Sequence, residues 1–418
     1  MLKVLFVIPS FPLPAHSGGA IATFETLRSV AGRCNLHVLT PSPQTNPELN
    51  LVALTDALPG VTVHSYEARD QQLPKFEMYT TAALTTVTGK PYWALSWRNR
   101  DLRLAVQRLC SQYHFDVVHA EWLQTAVSIW DLRIPLLIRT LDVHFLGMLD
   151  WSKSIAPSDK LRRAFWQRQA ERFRRFEAHV LSRASLVVCL SKEDEAALRE
   201  QGVTNIETIP PPRALAPDRA TTRRESKERC VALFVGRLDM PVNREAFFLF
   251  VDQIWPTIPE RLKARCSVIF AGGFPDQELR TRAATDAIEL RAPLSDSQAN
   301  ELFDRADLFF SPVQSGTGIK IKTIEALAQG KAMVGFINAF RGVPVTSGCE
   351  ALVADSASEF ATMMEQLVAN PTLREELGKN AQRLIQTNFD PAVLGTRLLE
   401  VYEQVTNNAR TRNQARTA

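Results

Sequence analysis

Short runs of apolar residues alternate with longer amphipathic stretches along nearly the whole chain. Continuous apolar runs are typical of strands in a parallel sheet covered on both faces, and the amphipathic stretches are typical of the covering helices. The pattern predicts strands at 4–8, 36–39, 61–64, 117–119, 136–139, 186–190 and 207–209, and again at 231–235, 267–271, 288–290, 308–310, 333–336 and 351–353. We therefore expect an α/β fold in which each half of the chain forms its own doubly wound parallel sheet.

Three consecutive prolines at 210–212 separate the two sets of strands. Prolines stiffen an extended segment, and the polar, charged stretch that follows cannot form a core. The predicted organisation is an N-terminal domain over 1–209, a linker over 210–228, a C-terminal domain over 229–391, a helix over 392–408 and a tail over 409–418. The tail is predicted to be frayed because it contains arginines and no apolar periodicity.

The composition is that of an ordinary globular protein. The 418 residues are 45% hydrophobic and 22% charged, and the net charge of +4 gives no reason to expect a nucleic-acid partner. Six scattered cysteines without a Cys-x-x-Cys pair fit a reducing compartment and argue against a zinc site. No apolar stretch reaches the ~20 residues of a membrane span, and the N-terminus is too brief for a signal peptide. We therefore expect a cytoplasmic protein.

The segment 311–331 carries the most informative chemistry of the chain. An apolar strand leads into a loop that contains Gly316, Gly318 and two lysines, and Glu325 lies on the helix that follows. Glycines let a backbone approach a ligand, helix N-terminal amides favour an anion, and lysines add point charges. The pattern predicts a site for a phosphate with a hydroxyl-rich group attached. A strand–turn–helix corner with solvated lysines would have the same spacing.

Several short sequences resemble retaining glycosyltransferases of family 4. In the second half they are Phe234-Val-Gly-Arg-Leu, Ala271-Gly-Gly and the 311–331 segment. In the first half they are Ser17-Gly-Gly-Ala, Phe115-Asp-Val-Val-His-Ala-Glu, Arg175-Phe-Glu and Ile209-Pro-Pro. The resemblance implies a GT-B fold, in which two Rossmann-like doubly wound parallel-sheet domains face a central cleft. It also implies that the donor binds the C-terminal domain and that the helix over 392–408 crosses back to the N-terminal domain.

The resemblance further implies which residues bind a nucleotide-sugar donor. Arg237 is implied as a diphosphate clamp, since its guanidinium holds two phosphate oxygens at once. Glu325 matches the last glutamate of the family's paired-glutamate motif, which binds ribose hydroxyls or orients the donor, and Thr317 occupies the place of the first. The backbone amides of residues 316–319 are then expected to contact the sugar. The expected donor-binding residues are Gly18, Gly19, Arg237, Gly272, Gly316, Thr317, Gly318, Ile319, Lys320, Lys322 and Glu325.

Candidate residues for the acceptor follow strands of the first half. His144 and Asp142 lie near the position of the family's catalytic histidine, so with Glu325 they are the expected catalytic residues. A hydrogen-bonded loop histidine is the alternative for His144. Glu121 is a candidate to take the proton of an acceptor hydroxyl. Trp122 beside it either stacks on a sugar ring or packs in the core.

A basic helix is predicted at 160–181. It carries many lysines and arginines together with aromatic residues, namely Phe165, Trp166, Phe173 and Phe176. Such a helix either lies on an anionic membrane surface beside a lipid-linked acceptor or packs its aromatic side chains inward.

These features imply a retaining glycosyltransferase that uses a donor such as a UDP- or GDP-sugar and no further cofactor. Metal independence is implied because basic side chains and helix N-termini neutralise the departing diphosphate. The expected acceptor is a hydroxyl of a glycan or lipid-linked molecule in cell-envelope polysaccharide, lipopolysaccharide or glycolipid synthesis. The alternatives are a nucleotide-sugar epimerase of the same fold and a transferase-like donor-binding subunit without turnover. A NAD-dependent dehydrogenase is disfavoured because no Gly-x-Gly-x-x-Gly follows a strand with an acid ~20 residues later.

Overall fold

The computed structural model describes residues 1–15, 17–68, 85, 88–155, 158–216 and 229–417. The chain divides into two compact units. The first contains Met1–Ala15, Gly19–Pro212 and Pro391–Ala418, and the second contains Arg213–Asp390 together with His16–Gly18. Most of the predicted linker, at 217–228, lies outside the described residues.

The first unit is built on a parallel sheet with seven strands in its described part. The strands are β1 (Lys3–Val7), β2 (Asn35–Pro41), β3 (Thr62–Tyr66), β4 (Val117–Glu121), β5 (Leu136–Arg139), β6 (Leu186–Cys189) and β7 (Ile206–Thr208). They lie in the order β3-β2-β1-β4-β5-β6-β7, so the chain winds outward from β1 in both directions. This is the order of a doubly wound fold, which places the post-strand loops at one edge of the sheet.

Helices cover both faces of this sheet. They are α1 (Gly18–Val30), α2 (Pro47–Ala57), α3 (Tyr92–Ser96), α4 (Arg100–Tyr113), α5 (Leu123–Ile129), α6 (His144–Ser154), α7 (Lys160–Arg183) and α8 (Lys192–Glu200). Because successive side chains of a strand point to opposite faces, Leu5 and Val7 of β1 belong to one apolar layer and Val4 and Phe6 to the other. Both layers are dry, which explains the continuous apolar runs in the sequence.

In its described residues, the second unit repeats this architecture with six parallel strands. They are β8 (Cys230–Val235), β9 (Cys266–Ala271), β10 (Glu289–Arg291), β11 (Leu308–Ser311), β12 (Ala332–Phe336) and β13 (Leu352–Ala354), in the order β10-β9-β8-β11-β12-β13. Its helices are α9 (Pro241–Leu249), which continues into a π-helical turn (Phe250–Ile254) and a 3-10 turn (Trp255–Thr257), α10 (Glu260–Lys263), α11 (Gln277–Thr285), α12 (Asp296–Arg305), α13 (Ile321–Ala328), a 3-10 turn (Ile337–Phe340), α14 (Ala357–Ala369) and α15 (Pro371–Asn388). Every predicted strand overlaps an observed one, and the predicted α/β class with two Rossmann-like sheets is confirmed.

The last helix, α16 (Pro391–Thr417), follows the second unit in sequence but packs in the first. Its apolar side chains, including Leu398 and Tyr402, join the layer that contains Val4 and Phe6. The helix runs nine residues past its predicted end at 408, so the expectation of a frayed tail over 409–417 does not hold. Alanine, arginine and glutamine are strong helix formers, and this stretch contains neither glycine nor proline.

Candidate active site

Three loops of the second unit follow the neighbouring strands β9, β8 and β11. Ligands of such sheets bind outside the carboxyl ends of the strands. The three loops and the helix that follows the third carry most of the residues that the sequence predicts for donor binding.

The loop after β9 touches the loop after β8 at Gly272. This residue has φ +147°, and a Cβ atom there would lie 1.8 Å from the carbonyl oxygen of Gly236. Only glycine fits such a close approach of two backbones. Gly272 therefore allows the two loops to pack closely, which is a structural role that the sequence pattern did not predict.

Arg237 lies on the loop after β8 with about half of its side chain exposed. Its Nε and Nη2 atoms donate to the two carboxylate oxygens of Asp239 at 3.1 and 2.5 Å. This contact lowers the pKa of Asp239 and raises that of Arg237. Asn243, at the start of α9, fixes the loop by donating from Nδ2 to the carbonyl of Arg237 at 2.7 Å. The guanidinium is thus placed at the sheet edge and paired with an acid of its own loop.

Lys322 in the first turn of α13 lies beside this loop. Its Nζ donates to Oδ1 of Asn243 at 2.5 Å and lies 4.3 Å from the centre of the Phe234 ring. Burial, together with the nearby ammonium of Lys320, lowers the pKa of Lys322 to about 7. Asn243 therefore links the backbone of Arg237, through its amide nitrogen, to the Lys322 ammonium, through its amide oxygen.

The loop after β11 is closed on itself by polar contacts. Lys320 Nζ donates to the carbonyls of Gly316 and Gly318, each at 2.9 Å. Asn338 Nδ2 donates to the carbonyls of Ser315 and Gly316 at 2.6 and 3.0 Å. Gly316 has φ +91°, a conformation that favours glycine. Thr317 and Ile319 lie on the same partly exposed loop. Lys320 therefore shapes the loop, whereas the sequence predicted it only as a ligand cation.

Glu325 lies one turn further along α13 and contacts Arg213. The Nη2 atom of Arg213 is in contact with both of its carboxylate oxygens, and Gln329 Nε2 donates to Oε1 at 3.2 Å. Arg213 lies in no recognisable motif and is not among the site residues that the sequence predicts. The only signal was its position directly after the three prolines.

In the first unit, Glu121 ends β4 and is fully buried. Its carboxylate accepts from Arg139 Nη1 at 2.5 Å, from Thr23 Oγ1 at 3.0 Å and from His119 Nε2 at 3.0 Å. Burial alone would raise the pKa of Glu121, but Arg139 with its other two donors holds it below the usual value. The predicted role in acceptor binding is therefore wrong, because no face of this carboxylate is open to a ligand.

Trp122, the next residue, lies at the surface of the same region. It has φ +68° at the start of α5, and its indole Nε1 donates to Thr23 Oγ1 at 3.1 Å. It lines a small depression with Pro9, Ser10, Pro12, Ala20 and Thr23. Gly18 and Gly19 are the first residues of α1, and a Cβ atom on Gly19 would lie 2.7 Å from the indole ring. Gly19 thus makes room for Trp122.

His144 begins α6 and is mostly buried. Its Nδ1 lies 3.1 Å from Oδ1 of Asp142 and 3.6 Å from Oε1 of Glu177. Burial would lower the pKa of His144, but these two carboxylates raise it to about 9. A histidine protonated at neutral pH cannot accept a proton from a substrate. Glu177 also accepts the backbone N–H groups of His144 and Phe145 at 3.0 and 3.2 Å, so it caps α6.

The described residues contain neither a metal-binding cluster nor a membrane-spanning helix. No group of three histidine, cysteine or acidic side chains is placed to hold a metal ion. None of the helices is both long enough and apolar enough to cross a membrane. The polar features at the edge of the second sheet are thus a pair of cations, a helix N-terminus and loop amides, a combination suited to an anion.

Solved structures share this fold over nearly the whole chain. Sucrose-phosphate synthase from Thermosynechococcus elongatus superposes with a TM-score of 0.71 at 15% identity, covering 98% of this chain and all of the other. The Anabaena protein HepE, in complex with UDP and glucose, superposes with a TM-score of 0.64 at 14% identity, covering 96% of this chain and all of the other. The fold is that of the GT-B glycosyltransferases.

Family comparisons assign both units to the same class. Residues 17–212 match a model described as "Glycosyl transferase 4-like domain", and residues 229–370 match one described as "Glycosyl transferases group 1". The chain therefore belongs to the GT-B glycosyltransferases, with one matching domain in each unit.

Curated relatives match over a shorter stretch. An uncharacterized 44.6 kDa protein in the cps region of Klebsiella pneumoniae is 24% identical over 38% of this chain and 43% of its own length. The phosphatidyl-myo-inositol mannosyltransferase of Mycolicibacterium smegmatis is 27% identical over 43% of this chain and 46% of its own length. The match therefore covers less than half the length of either relative.

Proposed function

We propose that this protein transfers a sugar from a nucleoside-diphosphate sugar to a hydroxyl group of a glycan or lipid-linked acceptor, with retention of anomeric configuration. The observation that carries the proposal is the placement of Lys322 and Arg237 on either side of Asn243, at the carboxyl edge of the second sheet. HepE, which shares the fold, was solved with UDP and with UDP-glucose. One curated relative is named a mannosyltransferase.

The departing nucleoside diphosphate is stabilised by groups of this chain. Arg237 exchanges Asp239 for phosphate oxygens, which its planar fork matches. The pKa of Lys322 lies at about 7 without a ligand, so an arriving diphosphate restores its positive charge. The N-terminus of α13, which no described side chain caps, adds its dipole, and no metal ion is needed. Glu325 and the amides of residues 316–319 hold the ribose and sugar hydroxyls.

The acceptor binds the first unit at the depression beside Trp122. The indole, which lines the depression, presents an apolar face to a sugar ring. At the start of α6, protonated His144 donates a hydrogen bond or offers a charge to the acceptor, and Asp142 beside it is partly exposed.

A membrane surface delivers the lipid-linked acceptor in this proposal. On α7, Leu161 is 88% exposed, and Trp151 of α6, packed 5.0 Å from the Trp166 ring, is 39% exposed. The same helix α7 carries many lysines and arginines, and basic residues together with exposed apolar ones are typical of contact with anionic lipid. Not every aromatic side chain of α7 faces solvent. Phe173 is fully buried, and the centre of its ring lies 5.4 Å from that of Trp97.

Nucleotide binding is the first test. The melting temperature of the protein is measured with UDP, GDP, ADP and the corresponding nucleotide sugars, since a ligand at a hundred times its Kd stabilises the fold by ~2.7 kcal/mol. One nucleotide is expected to raise the melting temperature of the wild type, and the rise should vanish in Arg237→Ala and be smaller in Lys322→Met, which retains weaker binding. Lys379→Met, which removes an exposed lysine on α15, serves as the control. The proposal fails if no nucleotide shifts the wild type.

Product analysis is the second test. Incubation with the donor alone separates transfer from epimerisation, because an epimerase converts its donor without an acceptor. With an acceptor present, NMR of the new glycosidic bond gives the anomeric configuration. An inverted product would overturn retention and leave nucleotide binding intact.

A further inference from the structure

A continuous chain of hydrogen bonds inside the first unit joins the C-terminal helix to Trp122. Tyr402 of α16 contacts Nδ1 of His119 through its hydroxyl at 2.7 Å, and His119 Nε2 lies 3.0 Å from Glu121 Oε2. Thr23 Oγ1 lies 3.0 Å from Glu121 Oε1 and 3.1 Å from the indole nitrogen of Trp122. The four residues that lead to the indole are buried, with exposed fractions of 0 to 3%; they are Tyr402, His119, Glu121 and Thr23.

The chemistry of the donors and acceptors determines where each proton lies along this chain of hydrogen bonds. An indole N–H only donates, so Thr23 Oγ1 accepts from Trp122, and the hydroxyl proton of Thr23 goes to Glu121. Glu121 is then surrounded by three donors, because Arg139 Nη1 also points at it, and it is ionised. His119 places its proton on Nε2, facing that carboxylate. Its Nδ1 therefore accepts from the Tyr402 hydroxyl.

Burial keeps this assignment in place at neutral pH. It lowers the pKa of His119 and raises that of Tyr402, so the imidazole is neutral and the phenol keeps its proton. The donors of Trp122, Thr23, His119 and Tyr402 each have one acceptor, and no two protons compete. Arg139, which donates to Glu121 through Nη1, has its Nη2 buried without a hydrogen-bond partner. A satisfied series of hydrogen bonds is rigid, whereas the loss of one member leaves a buried polar atom without its partner.

Trp122 needs such support because its own backbone is strained. Its φ of +68° is rare for a residue with a large side chain, and such conformations persist only where the surroundings determine them. The indole also faces Gly19, where a Cβ atom would lie 2.7 Å from the ring, so a larger residue at this position would displace it.

We infer that Thr23, Glu121, His119 and Tyr402 are positioning residues that hold the Trp122 indole as a fixed wall of the acceptor site. The identification of this depression as the acceptor site rests on the proposed function. The positioning of the Trp122 indole does not. The C-terminal helix thereby contributes to a pocket that it does not line, through a tyrosine 283 residues away from its histidine partner. Glu121 acts through Trp122 and not on the acceptor.

The test uses the indole N–H resonance of Trp122 in the 15N-labelled full chain. The protein contains seven tryptophans, and Trp122→Phe identifies the signal that belongs to this one. Thr23→Val removes the acceptor of the indole with little change of shape, and Thr23→Ser retains it. We expect Thr23→Val to move the resonance and to speed its hydrogen exchange about fivefold, the equivalent of one hydrogen bond of ~1 kcal/mol. Thr23→Ser should leave both close to the wild type.

Tyr402→Phe tests the end of the hydrogen-bond chain that is most distant from Trp122. It keeps the ring that packs in the apolar layer and removes only the hydroxyl, and circular dichroism verifies the fold. A shifted Trp122 resonance in this variant supports positioning from the C-terminal helix. An unchanged resonance would overturn the roles of His119 and Tyr402, and an unchanged resonance in Thr23→Val would overturn the inference as a whole.

Kinetics separates this inference from the proposed function. Where transfer is measured, Thr23→Val should raise the KM for the acceptor severalfold and leave the KM for the donor unchanged. If the wild type transfers no sugar, the proposed function fails while the indole measurements still decide the positioning role.

Discussion

The guanidinium of Arg213 lies against the carboxylate of Glu325, with Nη2 in contact with both carboxylate oxygens. Arg213 is the first residue of the second unit after the prolines, and its backbone N–H donates to the carbonyl of Phe389 at 2.7 Å. The two stretches of chain that leave the second unit are thus tied together beside a residue of the candidate donor site. The Arg213 and Glu325 side chains are only 23% and 15% exposed.

Removing the arginine should therefore be costly. Arg213→Met leaves a mostly buried carboxylate without its cation, and we expect the free energy of unfolding in urea to fall by about 2 kcal/mol. Arg244→Met provides the matched control, because Arg244 also pairs with carboxylates, but its two partners, Asp276 and Glu278, are half exposed or more. That control should lose less than ~1 kcal/mol. Equal losses in the two variants would contradict a special role of Arg213.

Nucleotide binding should depend on pH through Lys322. Since its pKa is about 7 in the free protein, the side chain is mostly neutral above this pH. Binding of an anion that needs the charged form is then coupled to the uptake of a proton by Lys322. We expect the Kd for the nucleoside diphosphate to be constant below pH 7 and to rise above it by up to about tenfold per pH unit. The terminal phosphate has a second pKa of ~6, so it is mostly ionised at pH 7 and contributes little slope above that pH.

Calorimetry measures both the slope and the proton. Titrations between pH 7 and 8.5 in buffers of different ionisation enthalpy should show uptake of up to one proton per bound nucleotide. The uptake should be absent in Lys322→Met and retained in Lys379→Met. Uptake that persists without Lys322 would assign the proton to another group.

The strands and the cations of the second unit could be predicted from the sequence, because both follow from local patterns. A buried strand such as β11 appears as an apolar run, and Arg237 and Lys322 lie within a few residues of the glycines that mark their loops. The loops follow strand ends, and the topology of a doubly wound sheet brings those ends to one edge.

The partners of the site residues could not be predicted, because they come from distant parts of the chain. Glu121 is 98 residues from Thr23, and Glu325 is 112 residues from Arg213. A glutamate after a strand has the same local pattern whether it is solvated or enclosed, so the sequence alone predicts Glu121 as an acceptor ligand. Its burial depends on side chains that only the folded sheet brings together.

The raised pKa of His144 should make the stability of the fold depend on pH. The folded protein holds the proton up to about pH 9, whereas the unfolded chain releases it near 6.5. The stabilisation is therefore fully present below pH 6.5 and is lost as the pH rises through 9. The shift corresponds to about 3 kcal/mol at most.

Urea unfolding of the wild type and of His144→Gln measures this loss. The difference between their free energies of unfolding should shrink from pH 6 to pH 9.5, and the use of a difference removes the contributions of other titrating groups. Asp142→Asn should lower the pKa of His144, observed by NMR of its imidazole. A pH-independent difference, or an imidazole that titrates near 6.5 in the wild type, would show that the two carboxylates do not hold the proton.

Two neighbouring glycines after β9 provide the sharpest test of the site geometry. In Gly272→Ala the new Cβ would lie 1.8 Å from the carbonyl oxygen of Gly236 on a backbone with φ +147°, so the two loops must separate. We expect a loss of at least ~3 kcal/mol in the free energy of unfolding, together with loss of the nucleotide-induced rise in melting temperature. Gly273→Ala is the control, since its Cβ would meet only Arg237 Cγ at an ordinary 3.7 Å, and it should change stability by less than ~1 kcal/mol. If Gly272→Ala is as stable as Gly273→Ala and still binds nucleotide, the loops that carry Arg237 and Gly272 are not in the contact described.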